Sequence, residues 1–235
     1  HFPGHGDTDT DSHYALPIIK HNRKRLDSLE LYPFNELIKK GLGSIMVAHL
    51  YIPSLEKEKN TATTLSKYTV TEVLKKELDF KGLIFTDALN MKGVSNYYPP
   101  GIVDVKALLA GNDVLLFSED VPKAIQEIKK AIKKGQISQD DVDRRCKKIL
   151  KAKEWMQLSN YTPIQEKNLI DNLNTKNAEI LRQKLIESSL TLAINKSKTV
   201  PLLAIDSIKI ASLSIGSKKS TTFQQTLDSY CQIDH

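Results

Sequence analysis

Cysteine is nearly absent: 235 residues contain only Cys146 and Cys231, far apart in the chain. This spacing does not suggest a disulfide framework or a cysteine metal site, and the two read as unpaired thiols. Long apolar runs are also missing. The longest, such as DVLLF at 113–117 and GLIF at 82–85, fall far short of the roughly 18 residues needed to cross a bilayer, so no membrane span is read. Aromatics make up 6% of the chain, with a single Trp. That scarcity bears on the formal charge of +6, which by itself would invite a nucleic-acid partner. The lysines, however, fall at helical spacing with few aromatics between them, as in IKKAIKKG (128–135) and RRCKKILKAK (144–153). They read as solvated helix faces, and no nucleic acid is expected. An initiator Met is absent too, so a signal peptide cannot be judged and the residues leave localisation open.

What is present is an ordinary globular composition, 40% hydrophobic, enough for one large domain or parts of two. Short buried-strand patterns alternate with amphipathic ones, the signature of βα units around a parallel sheet. SIMVAH (44–49), GLIFTD (82–87) and NDVLLF (112–117) read as strands, and PFNELIKKG (33–41) and TVTEVLKKELDF (69–80) as helices. Two further helices follow: VPKAIQEIKKAIKKG (121–135), with Pro122 in its first turn, and 138–158, opened by a Ser cap and early acids. Residues 159–174 read as irregular, 175–193 as a helix, and IKIASLSIG (208–216) as the first strand of a separate α/β domain. The expected division is 1–158, a linker with a helix at 159–200, and the start of a second domain at 201–235. Three parallel strands cannot close a barrel and leave an exposed edge, so the chain is expected to be a piece completed by a preceding segment.

Chemistry concentrates in the first seventeen residues, HFPGHGDTDTDSHYALP, where three histidines and three aspartates share a glycine-loosened turn. Asp11 and His13, separated by one residue, can point to one side, and a carboxylate beside imidazole fixes the tautomer and raises the ring's basicity. By spacing alone the same pair also fits a loop hydrogen bond. A metal site is open as well, since His1, His5, Asp7, Asp9, Asp11 and His13 offer many ligands. Asp87 ends the run GLIF and so sits at the C-terminal end of a parallel strand, the edge that carries sites in such folds. It could equally cap the next helix. His49 holds the equivalent position one unit earlier, as a site residue or as a satisfied rim histidine. Asn112 and Asp113, before the third strand, fit a structural role, and Met46 and Met91 read as packing residues.

Taken together, HFPGHGDTDTDSH, MVAH, ELDFKGLIFTDALNMKGV, AGNDVLLF and QISQDDVDRRCKKILKAK form an ordered set. It resembles glycoside hydrolase family 3, and within it the β-N-acetylglucosaminidase branch, strongly over about residues 1–155. The resemblance implies an α/β fold: the C-terminal part of a TIM-like (β/α)8 barrel, followed by the start of an α/β sandwich domain. It implies a retaining exo-β-N-acetylglucosaminidase acting on terminal β-linked N-acetylglucosamine of peptidoglycan-derived or related glycans. Asp87 matches the nucleophile, His13 the proton donor and Asp11 its orienting partner. His1, His49 and Met91 are the implied substrate-binding residues, His49 with a less certain role. The implied partners are a carbohydrate and the preceding barrel segment, which would supply further sugar-gripping residues. No metal or organic cofactor is implied.

A histidine in the acid/base role is uncommon, since usually both groups are carboxylates. Imidazole is neutral after giving up its proton and would repel phosphate less than a carboxylate does, which raises a phosphorolytic variant. A β-glucosidase of the same family and a sugar-binding protein without turnover compete with these readings. The β-glucosidase fits the DSH loop less well, and the binding protein sits poorly with Asp87, Asp11 and His13 occurring together. The trailing strand implies the two-domain architecture of exported members, which favours a periplasmic or cell-surface location.

Overall fold

Four short stretches run parallel side by side: Phe2, β1 (Ser44–Val47), β2 (Leu83–Thr86) and Val114. They belong to a computed structural model that describes residues 1–217 and 219–234. β1 and β2 pair in register from Ser44 opposite Leu83 to Val47 opposite Thr86. Phe2 and Val114 join by single bridges, to Val47 and Phe85. Helices Tyr32–Lys39, Tyr68–Glu77 and Ile102–Ala110 fall between successive stretches, and helices Val121–Lys133 and Gln139–Trp155 follow the last. Each parallel step is thus made through a helix, as parallel pairing requires.

The third expected strand, 112–117, is reduced to that one bridge, for a reason visible in its side chains. Asp113 Oδ2 accepts the Ile84 N–H at 2.9 Å, and Thr86 Oγ1 accepts the Leu116 N–H at 2.8 Å. Two rungs of the ladder are therefore made by side chains rather than by backbone. Phe117 then turns the chain through a positive φ of 51°. The polar residues preceding this stretch are structural. Asn112 is fully buried and donates to the carbonyls of Thr64 and Ala107, both at 2.8 Å. Asp113 takes Lys148 Nζ at 2.5 Å, and the same ammonium donates to Gly82 O at 2.6 Å.

The core lies between the sheet and its helices, with Phe2, Leu26, Val47, Leu50, Leu74 and Ile84 all fully buried. Helix Tyr68–Glu77 contributes Val70, Val73 and Leu74 to it. It is wound wider than an α-helix, closing with an i→i+5 bond from Leu78 N–H to Val73 O at 2.9 Å. Asp120 and Ser138 cap the last two helices, accepting the N–H groups of Lys123 and Asp141.

The chain divides into two compact units, His1–Thr162 and Pro163–His235. In the second, a short helix, Leu169–Leu173, interrupts the stretch expected to be irregular, and a longer one covers Lys176–Ser189. The expected strand at 208–216 is only β3 (Ile210–Ala211), which pairs in parallel with β4 (Ile233–Asp234) across the helix Thr222–Leu227. That helix opens with a capping box: Thr221 Oγ1 accepts the Gln224 N–H at 3.3 Å, and Gln224 Oε1 accepts the Thr221 N–H at 3.0 Å. Leu213 and Ile215, read as buried strand residues, stand almost wholly exposed. No helix of the described residues is long and apolar enough to cross a membrane.

Candidate active site

The C-terminal ends of the parallel stretches open into a depression of about 500 Å³ lined by His1, His5, Asp11, Ser12, His13, Asp87 and Met91. Asp87 follows β2 directly, and its N–H donates to Val47 O at 2.9 Å, so the sheet itself fixes its backbone. The residue is buried, and its Oδ1 accepts the Ala88 N–H at 2.9 Å. The helical turn that follows, Lys92–Ser95, starts after Met91, so Asp87 does not cap it. Oδ2 is left facing the depression, where His1 Nε2 lies 3.4 Å away.

The Asp11–His13 pair is present and exposed. One oxygen of Asp11, Oδ1, receives both the His13 backbone N–H at 2.9 Å and His13 Nδ1 at 2.7 Å. These two bonds, the backbone one foremost, hold the Asp11 carboxyl below the usual carboxylate range. Nδ1 is committed to Asp11, and His13 lines the depression. The loop is anchored from below, where Gly93 N–H and Lys92 N–H reach the carbonyls of Ser12 and His13, both at 3.3 Å. Gly93 packs closely there: a Cβ on it would stand 3.1 Å from Ser12 O and 3.4 Å from His49 Cβ.

His49, expected among the substrate-binding residues, is not in the lining of the depression. It is fully buried beneath it, with Nε2 donating to Ala88 O at 2.9 Å and Nδ1 meeting the Thr64 hydroxyl at 2.8 Å. Burial pushes its pKa down, against smaller opposing effects of the Ala88 carbonyl and Asp87. The ring packs beneath Asp87 with its two nitrogens against Thr64 and Ala88, and the Thr64 hydroxyl also donates to Ala48 O at 2.6 Å. Met91 does reach the depression while staying mostly buried, so it is both a packing residue and a lining one. His5, which sequence reasoning considered only as a metal ligand, is also in the lining. Its Nε2 lies 3.3 Å from Ser12 Oγ, and its ring meets that of His1 edge-on at 6.4 Å. The GHG context of His5 beside His1 was the available signal.

Among the described residues, the one group of side chains gathered as a metal would need is Asp7, His21 and Glu30. It is not the set the sequence offered. Only Asp7 is shared, and none of the three lines the depression.

The family profile described as "Glycosyl hydrolase family 3 N terminal domain" matches residues 1–152. A protein named beta-hexosaminidase A from Pseudoalteromonas piscicida is 32% identical over 65% of this chain and 29% of its own length. A beta-hexosaminidase from Glaesserella parasuis is 36% identical over 54% of this chain and 36% of its own. Among solved structures, a family 3 β-N-acetylglucosaminidase from Paenibacillus aligns over all of this chain and 46% of its own. That alignment has a TM-score of 0.70 and 29% identity. The chain belongs to glycosyl hydrolase family 3. Residues 1–152 accordingly have the TIM-like α/β fold of that family's N-terminal domain, and the chain spans about a third of the length of these two curated relatives.

Proposed function

We propose that these residues form the catalytic half-site of a retaining exo-β-N-acetylglucosaminidase, which removes terminal β-linked N-acetylglucosamine from peptidoglycan-derived or related glycans. The observation that carries the reading is the convergence of a sheet-held carboxylate and a His–Asp pair on one depression, with Asp87 Oδ2 free of other hydrogen-bonded partners except the nearby His1. The names of the relatives, beta-hexosaminidase and β-N-acetylglucosaminidase, support the choice of sugar. Carbohydrate is the substrate class, with His1 and Met91 touching the sugar and the preceding barrel segment completing its grip. No cofactor enters this chemistry. The proposed division of the chain is catalytic barrel to residue 158, linker to 200, and sandwich domain from 201.

Asp87 Oδ2 attacks the anomeric carbon as the glycosidic C–O bond breaks, and the leaving oxygen takes the electron pair and the proton on His13 Nε2. Water then attacks the same carbon and gives its proton to His13, and the Asp87 carboxylate departs unchanged. Asp11 holds the imidazole in one tautomer and stabilises its protonated form before each donation. Because the histidine is neutral between the steps, phosphate in place of water meets less repulsion than a carboxylate in that role would give. Incubation with and without phosphate separates the two routes, and the absence of any sugar 1-phosphate disposes of phosphorolysis.

The reading is tested by release of the aryl alcohol from an aryl N-acetyl-β-glucosaminide, with the matching β-glucoside as comparison. Preferential turnover of the N-acetyl sugar is expected. No turnover of either by the folded full-length protein would move the assignment to a binding protein or another glycan.

A further inference from the structure

Asp7, His21 and Glu30 come from three separate stretches. Asp7 lies on the glycine loop, six positions before His13. His21 follows the segment tied to Tyr51 by the bonds Ile19 N–H to Tyr51 O at 3.0 Å and Tyr51 N–H to Pro17 O at 2.8 Å. Its own carbonyl accepts the Ser54 hydroxyl at 2.7 Å. Glu30 ends the helical turn Leu26–Glu30. One donor atom from each lies within 4.8 Å of the other two. His21 Nε2 already touches Asp7 Oδ2.

Arg25 Nη2 lies 3.1 Å from Glu30 Oε1 and 3.7 Å from Asp7 Oδ2, so one guanidinium is shared between two carboxylates. The Glu30 side chain is only 8% exposed, and its Oε2 is buried without a hydrogen-bond partner. A buried carboxylate oxygen with no donor is destabilising, and a cation at this point relieves it. The packing is close on the loop side as well. Gly4, at a φ of +131°, brings the loop so near that a Cβ there would stand 3.0 Å from Glu30 Cβ.

We propose that Asp7, His21 and Glu30 form a site for one divalent transition-metal ion of the zinc class, which ties the base of the His13 loop to the Leu26–Glu30 turn. One imidazole nitrogen and two carboxylate oxygens, with water in the fourth position, suit a tetrahedral zinc ion. Such an ion wants its donors about 3.4 Å apart. Asp7 and His21 must therefore part slightly and Glu30 move in, with Arg25 swinging outward from its half-exposed position. The ion is a tether and takes no part in bond breaking. Only its consequence for catalysis, a better-held His13, rests on the function proposed above.

The test is zinc binding to the full-length protein stripped of metal, by calorimetry with metal analysis after dialysis, for wild type, His21→Gln, Asp7→Asn and His13→Ala. One bound equivalent is expected, weakened at least about tenfold by either of the first two substitutions and retained in the third. Hydrogen exchange across residues 5–16 should slow on adding zinc to wild type and not to His21→Gln. No bound zinc in wild type overturns the proposal. So does zinc lost in His13→Ala and kept in His21→Gln, which would place it on the Asp11–His13 pair. Should His21→Gln fail to fold, Arg25→Met decides: removing the competing cation must tighten zinc binding, and weaker binding overturns the proposal. None of these readings depends on glycosidase activity.

Discussion

The two carboxylates of the depression are held in opposite ways. Asp87 stands on a wall whose backbone bonds belong to the sheet, over a buried histidine whose nitrogens meet Thr64 and Ala88. Asp11 stands on a loop whose side chains are mostly exposed and whose geometry comes from two bonds with its own neighbour, His13. A nucleophile must be placed to a fraction of an ångström at the anomeric carbon, and a rigid wall provides that. A proton donor that must also admit the sugar and release the aglycone gains from a loop able to move, and Gly4 and Gly6 lie at its start.

The comparison breaks most sharply at its wall. Asp87→Asn removes the attacking oxygen but keeps the size and the bond to Ala88, so loss of activity by roughly 10⁴-fold or more is expected for every substrate. Assay of an aryl glycoside and of a natural disaccharide checks this; a variant that keeps a tenth of wild-type turnover on either would remove Asp87 from the nucleophile's role. The loop side is substrate-dependent. His13→Ala should slow substrates with poor leaving groups by about 10²–10⁴-fold and activated aryl glycosides far less, because only the former need the proton. Equal losses on both types would take His13 out of the acid/base role.

A third substitution acts where wall and loop meet. Gly93→Val places a branched side chain against Ser12 O and His49 Cβ, where even a Cβ is tight. Overpacking of this kind costs about 1–3 kcal/mol. Ser12 O must also move, so a thermal melt and the His13-dependent rate should fall together. A variant with a lower melting point and an unchanged rate on poor leaving groups would show that the loop is placed without this contact.

Much of the wall was legible in the sequence, and the loop was legible only as chemistry. An apolar run ending in a carboxylate located Asp87, because parallel strands put their C-terminal ends at one edge. The Asp11–His13 pair was visible since its contact is local, two residues apart. The place of His49 was not, because its partners, Thr64 and Ala88, are 15 and 39 positions away. Nor was the shortness of the third strand, where Asp113 and Thr86 replace backbone rungs with side-chain ones. The Asp7–His21–Glu30 group escaped for the same reason: its members reach one another only through the fold. In the second unit IKIASLSIG at 208–216 read as a buried strand. Leu213 and Ile215 nonetheless lie outside the two-residue β3 and are exposed, since an apolar pattern needs a facing layer before it becomes a core.

The smallest effect tests the wall from beneath. Burial holds the pKa of His49 in the folded protein below the ordinary value, about 6.5 for a free histidine. Between that value and its folded pKa the unfolded chain binds a proton that the folded one does not. Its contribution to stability is therefore complete above about pH 6.5 and is lost as pH falls toward the folded pKa, at no more than about 1.4 kcal/mol per pH unit. His49→Gln keeps an N–H for Ala88 O and removes the titration. Denaturant midpoints measured from pH 8 to pH 5 should fall more steeply for wild type than for the variant, while Asp11, already held ionised below the usual carboxylate range, adds no slope in that interval. Parallel curves would mean that His49 is protonated in the folded state, paired with Asp87 as an ion rather than supporting Ala88 as a neutral donor.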